Sequence, residues 1–293
     1  MTTSGNRERF RRAAAEERPD LALLCLLIGA ESDPEGGEAA IDAAQIELDR
    51  LAGELPADLP GDGAGGAGGS GPVPPGGPQA WAEALRRLLG ETYGFHGTPA
   101  DYRRLDSSLL QAVLTRRRGL PILLSVVWIE VARRAGARVY GVALPGHFVV
   151  GFGDPDGEHV LADPFAGGRT LAASDVDLLV AGATGERSPV PPTLLRPADP
   201  LDTVLRVLNN VRAWAAARPE HSSVQLWALE LALLLPHRPM RLRLEHAQLL
   251  VERGDFLAGA QELEEYADLV ATVDPRSADT ARHAAHTARA RLN

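Results

Sequence analysis

Two residues in the middle of the chain, His147 and Asp163, have the types and spacing of a general base and its orienting acid. Between them runs Gly153-Asp-Pro-Asp-Gly157, a turn sequence. If the turn is symmetric about Pro155, both residues stand eight positions from its centre. They then face each other across a hairpin, with β-carbons about 5 Å apart. A carboxylate beside a ring N–H fixes the imidazole tautomer and stabilises its charged form. That is the orienting half of a nucleophile–base–acid triad. A slip of one residue would part the two side chains to opposite faces of the sheet. The plain alternative is a structural His–Asp tie between two strands.

A triad also needs a nucleophile. The chain has one cysteine, Cys25, inside the apolar run Leu21–Ile28, where a cysteine behaves as a small buried hydrophobe. The helix that opens at Gly119-Leu-Pro121, just before the hairpin, is the natural place for a thiol, since a helix N-terminus lowers a thiol's pKa. Proline stands there instead. Ser125 follows four residues later, on the same helix face. Two readings stay open for it. His147 activates it as a nucleophile, or its hydroxyl bonds back to the carbonyl of Pro121. The run Arg116-Arg117-Arg118 is either a rim for an anionic group or a solvated helix end. His159 reads as a polar residue at a strand start. No His or Cys pair has metal-ligand spacing, so neither a metal nor another cofactor is expected. The chain contains no lysine, so no side-chain amine is available for a Schiff base.

The elements that must position these groups are legible in outline. Arg7–Glu17, Leu21–Ala30 and Glu38–Leu55 read as helices, with Asp20 able to cap the second. The third places Ile41, Ala44, Ile46 or Gln45, Leu48 and Leu51 at helical spacing. Residues 61–79 hold nine glycines and four prolines, and read as a flexible insertion. A helix over 80–90 closes on Gly90, and another over 109–117 has Asp106 or Ser107 as cap. From Pro121 to Ala132 nearly every residue is apolar, the pattern of a helix buried on all sides, and Gly136 ends it. Strands follow at 138–144, 147–152 and 159–163. Beyond Pro200, helices are expected near 200–217, 223–235, 240–253, 256–272 and 277–291.

Five blocks in order carry a family resemblance: Gly94-Phe95-His-Gly97, Asp106-Ser107-Ser108-Leu109, Arg117-Arg118-Gly119-Leu120-Pro121, Pro145-Gly146-His147-Phe148, and Asp163-Pro164-Phe165-Ala-Gly167-Gly168. With the buried helix, Arg133 and Gly136, they resemble transglutaminase-like proteins, and more closely the SirB-type branch. The resemblance implies that His147 and Asp163 match the family's His and Asp, and that Pro121 stands on its catalytic cysteine. It also implies a pocket lined by Pro121, Arg117, Arg118, His147, Phe148, Asp163 and Phe165. The C-terminal helices, with Leu208-Asn209-Asn210, are similar to tetratricopeptide-type pairs, which present a concave surface to peptides or proteins.

The expected fold is therefore α+β. A transglutaminase-like, papain-like core over 80–198 sets a buried helix against an antiparallel sheet. A helical segment over 1–60 and the insertion over 61–79 precede it, and a helical-repeat region over 199–293 follows. The 293 residues are 45% apolar and 24% charged, enough to close a core without disulfides or metals. A net charge of −9 argues against a nucleic-acid partner. The N-terminus is too polar for a secretory signal and the apolar runs are too short for a membrane span. The resemblance implies a bacterial cytoplasmic protein, and three functional expectations stand: a non-catalytic protein- or peptide-binding role using the pocket, a hydrolase or acyl-transferase using His147 and Asp163 with Ser125 or water, or an adaptor acting through the C-terminal helices.

Overall fold

The computed structural model describes residues 3–33, 36–57, 59, 77–237 and 239–291. It divides into two compact units, one of residues up to Asn6 with Arg18–Val207, the other of Arg7–Glu17 with residues from Leu208 on. The helices are α1 (Thr3–Ala14), α2 (Leu21–Ser32), α3 (Gly37–Gly53), α4 (Gly77–Leu85), α5 (Leu110–Arg116), α6 (Pro121–Arg134), α7 (Ala173–Thr184), α8 (Pro200–Ala216), α9 (Ser222–Leu234), α10 (Arg241–Glu252), α11 (Phe256–Val270) and α12 (Pro275–Ala290). Four strands, β1 (Val139–Val142), β2 (Val149–Gly153), β3 (His159–Asp163) and β4 (Arg169–Leu171), form one antiparallel sheet in chain order.

In the first unit α6 is the centre. Every residue from Pro121 to Ala132 is buried, as its unbroken apolar run requires. It packs on β1, β2 and the turn over 164–166, and α2, α3 and α5 also pack on it. Pro121 takes the first helical position, where a missing N–H costs nothing. Glu130 is buried in the last turns, held by Arg133 at 2.9 Å and Arg134 at 2.6 Å. Val142, Val149, Leu161 and Val176 form a small core between the sheet and α7. Asp20 caps α2 by accepting from the Leu23 N–H at 2.9 Å, and Cys25 is buried within that helix.

Several expectations need correction. The hairpin pairs Val150 with Ala162 and Gly151 with Leu161, so it is centred on Asp156 rather than Pro155. His147 lies before β2, not within it. Ile46 is 67% exposed while Ile41, Ala44, Leu48 and Leu51 form the buried stripe of α3. Neither Asp106 nor Ser107 caps α5, since both lie in the preceding 3-10 turn Leu105–Ser108. Gly90 does not end a helix. It sits inside a wider π-helical stretch, Arg86–Thr92, where a β-carbon would come 2.0 Å from the Gly167 carbonyl oxygen. Gly77-Pro78-Gln79 open α4, and 61–76 lie outside the described residues. β4 and α7 were not anticipated.

The second unit holds α9 to α12 at positions close to those expected. Gly259 lets α11 approach α10, since a β-carbon there would meet Val251 Cγ2 at 2.5 Å and the Ala247 carbonyl oxygen at 2.9 Å. Ala260, Leu263, Ala267, Ala281 and Ala285 fill the core between α11 and α12. His246 of α10 is buried between α9 and α11, its Nδ1 2.6 Å from Glu262 and its Nε2 4.0 Å from Glu230.

Candidate functional site

The turn that presents His147 is built by Leu144-Pro145-Gly146-His147. The His147 N–H donates to the Leu144 carbonyl at 3.2 Å, and Gly146 has φ +67°. Proline followed by a positive-φ glycine is the requirement of a type II turn. Gly146 also abuts α7, as a β-carbon there would lie 2.5 Å from the Ala183 methyl. The site's other half is the end of β3. Asp163 Oδ1 accepts from the Phe165 N–H at 2.9 Å and so caps the short turn Pro164–Ala166.

The two halves meet. His147 Nε2 lies 3.0 Å from Asp163 Oδ1. The pairing survives the altered register because the shift is two residues, which keeps both side chains on one face. Carried beyond the ladder, the observed register points His147 at Phe165, and the two rings do meet edge to face at 5.8 Å. Asp163 is then the diagonal neighbour of His147, within reach of a long side chain. The Asp163 carboxylate is nearly sealed and His147 keeps a small exposed edge, with side chains 5% and 11% accessible. His147 Nδ1 has no hydrogen-bond partner among the described residues. An imidazole oriented by a carboxylate at one nitrogen and open at the other is arranged to accept a proton or a hydrogen bond.

α6 packs on the turn that follows Asp163 and reaches the residue that follows His147. Ser125, one turn beyond Pro121, donates its hydroxyl to the Phe148 carbonyl at 3.2 Å. That bond replaces both partners considered for Ser125: neither the Pro121 carbonyl nor His147 receives its proton. Ser125 is fully buried and ties the chain next to His147 to α6. Gly97 closes the wall. Its N–H donates to the Phe165 carbonyl at 2.9 Å, and an added β-carbon would lie 2.0 Å from the Phe165 ring and 2.7 Å from the Gly119 carbonyl oxygen. Phe165 is thereby pinned between His147 and the chain leading into Pro121.

The arginine run stands at the end of α5, half-buried, and two of its three members are turned to a carboxylate of the protein itself. Arg118 donates to Asp101 Oδ2 at 3.0 Å and to the Thr98 hydroxyl at 2.8 Å, and Arg116 lies 3.6 Å from Asp101 Oδ1. Asp101 is buried. Burial works against its charge, but Arg118 and Thr98 prevail and hold its pKa below the usual value. Arg117 turns the other way. It has φ +58°, covers the Tyr93 ring at 4.6 Å and lines a cavity of about 390 Å³ with Glu47, Gln111 and Leu114. His159 is exposed at the start of β3.

Two residues escaped sequence reasoning. Arg206, in α8, donates from Nη2 to the Leu144 carbonyl at 2.9 Å and the His147 carbonyl at 2.7 Å, gripping both ends of the turn. Burial lowers its pKa. Tyr102 packs its ring 6.2 Å from Phe165. Burial pushes its phenol pKa up; Arg206 opposes the shift and Asp163 adds to it. Only position relative to the His147 turn reveals either residue, and composition carries no such signal. Among the described residues no group of three or more His, Cys, Asp or Glu is placed to hold a metal, and no helix is long and apolar enough to cross a membrane.

A sequence profile of the transglutaminase-like superfamily matches residues 42–209. A UPF0162 protein of Xylella fastidiosa (strain Temecula1) is 32% identical over 189 residues, covering 64% of this chain and 66% of that one. A UPF0162 protein of Pseudomonas aeruginosa is 32% identical over 206 residues, covering 70% and 68%. The UPF0162 protein YchA of Escherichia coli K12 is 28% identical over 134 residues, covering 45% and 49%. The match spans 66% and 58% of the length of the two Xylella relatives.

Proposed function

Because the chain belongs to the transglutaminase-like superfamily, we propose that it keeps the base and orienting acid of a thiol site without the nucleophile, and binds a protein or peptide there. The observation that carries this reading is Pro121 at the first position of α6. Proline offers neither a nucleophilic atom nor an N–H at the helix mouth. The surroundings of the two other candidate nucleophiles support this reading. Ser125 is enclosed and bonded to Phe148. Cys25 is buried in α2, where burial pushes its thiol pKa far up and keeps it protonated. What remains at the surface is an oriented imidazole edge beside Phe165 and Tyr102, a set suited to recognition.

On this reading the chain is a SirB-type pseudoenzyme of the bacterial cytoplasm, with regulatory or scaffold work as its task. Its C-terminal helices are a tetratricopeptide-like region that adds a second surface for the same partner. The close α10–α11 approach at Gly259 and the proline opening α12 support that likeness. A second reading, hydrolysis by a water that His147 activates, is favoured by the open Nδ1. The test is site-directed photo-crosslinking from Ala166, exposed beside Phe165. Binding predicts a discrete crosslinked partner that His147→Ala weakens and that changes in α10 or α11 weaken separately. A partner indifferent to His147→Ala but lost on changing α10 or α11 would make the core a structural remnant.

A further inference from the structure

Arg206 spends Nη2 on two neutral carbonyls, those of Leu144 and His147. Neither supplies a counter-charge. Arg206 makes no ion pair among the described residues, and its guanidinium lies 5.7 Å from the Phe148 ring centre. A partly buried cation without a counter-ion is costly. Asp163 is paired with His147 and makes no ion pair with Arg206 among the described residues. Tyr102 is close enough to Arg206 for each to influence the other's charge. The rings of Tyr102, Phe165 and His147 follow one another in edge contacts at 6.2 and 5.8 Å. The Arg206 grip on the His147 turn and this file of rings thus put a guanidinium, a phenol ring and the imidazole in one neighbourhood.

We infer that the occupant of this site presents a single carboxylate to Arg206, with Tyr102 as a second donor, an assignment that rests on the binding reading above. The charge count selects the class. Arg206 contributes one positive charge in need of balance, and the Asp163 carboxylate, 3.0 Å from the imidazole, repels a dianion. A planar two-oxygen anion matches the guanidinium fork. An acidic side chain and a peptide C-terminus both offer that group.

The test follows the His147 ring resonance of the full chain by NMR, assigned with His147→Gln. The added probes are N-acetylglycine, N-acetylglutamic acid amide, N-acetylglutamine amide and inorganic phosphate, at fixed ionic strength. One of the two carboxylates should shift the resonance saturably, and which one does so identifies a chain terminus or an acidic side chain. The neutral glutamine probe should bind about 10-fold more weakly or less. Arg206→Gln, whose amide can still donate to a carbonyl, should weaken carboxylate binding about 10-fold or more. If that variant disturbs the free His147 signal, Tyr102→Phe decides, with binding about 3-fold weaker expected and unchanged binding overturning the assignment. Equal binding of the neutral probe, tightest binding by phosphate, no saturable shift, or full affinity in Arg206→Gln with an undisturbed His147 signal would each overturn it. Such a failure leaves the binding reading standing if His147→Ala still weakens partner crosslinking. Loss of that dependence removes the reading itself.

Discussion

Replacing Ser125 by alanine separates a structural hydroxyl from a catalytic one. Ser125 is fully buried in α6 and donates to the Phe148 carbonyl at 3.2 Å. The substitution removes that bond and leaves the carbonyl without its side-chain donor, at a cost of about 1–2 kcal/mol. Alanine's higher helix propensity offsets a few tenths of this. For a unit of this size the loss lowers Tm by roughly 3–6 °C. The bond also anchors the chain beside His147, so amide exchange at Phe148 and Val149 should accelerate before exchange in the second unit does. The assay is thermal unfolding of parent and variant, with hydrogen exchange resolved to peptides over 144–152. An unchanged or raised Tm, with unchanged exchange there, would refute the structural role. It would return Ser125 to candidacy as a nucleophile, because active-site hydroxyls are often removed without loss of stability.

Other perturbations follow from the same geometry. Asp101→Asn should destabilise by about 2 kcal/mol in urea unfolding, because Arg118 and Arg116 lose a buried carboxylate. The parent's share of that stability is present above the unfolded pKa of 3.8 and fades as pH falls through the lower folded value. Gly97→Ala, whose β-carbon meets both the Phe165 ring and the Gly119 backbone, should cost about 2–3 kcal/mol and displace Phe165, read as a shift of the His147 ring resonance. In the second unit burial disfavours the charged form of His246, yet Glu230 and Glu262 prevail and raise its pKa to about 9. A raised folded pKa stabilises fully below the unfolded value of 6.5 and is lost as pH rises through about 9. Between pH 7 and 10 the parent should lose about 1–2 kcal/mol more than His246→Gln, measured as the difference between their Tm–pH slopes.

The buried helix, the capping Asp20 and the later helices were legible because each rests on local signals: an apolar run, a polar cap, a proline or glycine at an end. The His147–Asp163 pair was legible from parity alone. The register was not, and a turn misplaced by one residue shifted the predicted pairing by two. What failed was everything set by contacts distant in sequence. Ser125 finds the Phe148 carbonyl, 23 residues away, because α6 packs on β2, not because of its own neighbours. Gly90 looked like a helix end, whereas its lack of a side chain serves the approach of Gly167. Arg206 lies 59 residues from the turn it grips. Nothing in the local sequence marks it off from the other arginines. The arginine run at 116–118 stayed open for a related reason: its counter-charge, Asp101, precedes it by a loop and a short helix.

On the proposed reading, an oriented imidazole stands near a helix mouth that holds no nucleophile. Intact-mass measurement of the native chain after exposure to a fluorophosphonate and, separately, to iodoacetamide tests it directly. No adduct should depend on His147, and Cys25 should react only on unfolding. A single adduct formed by the folded parent and absent from His147→Ala would contradict it.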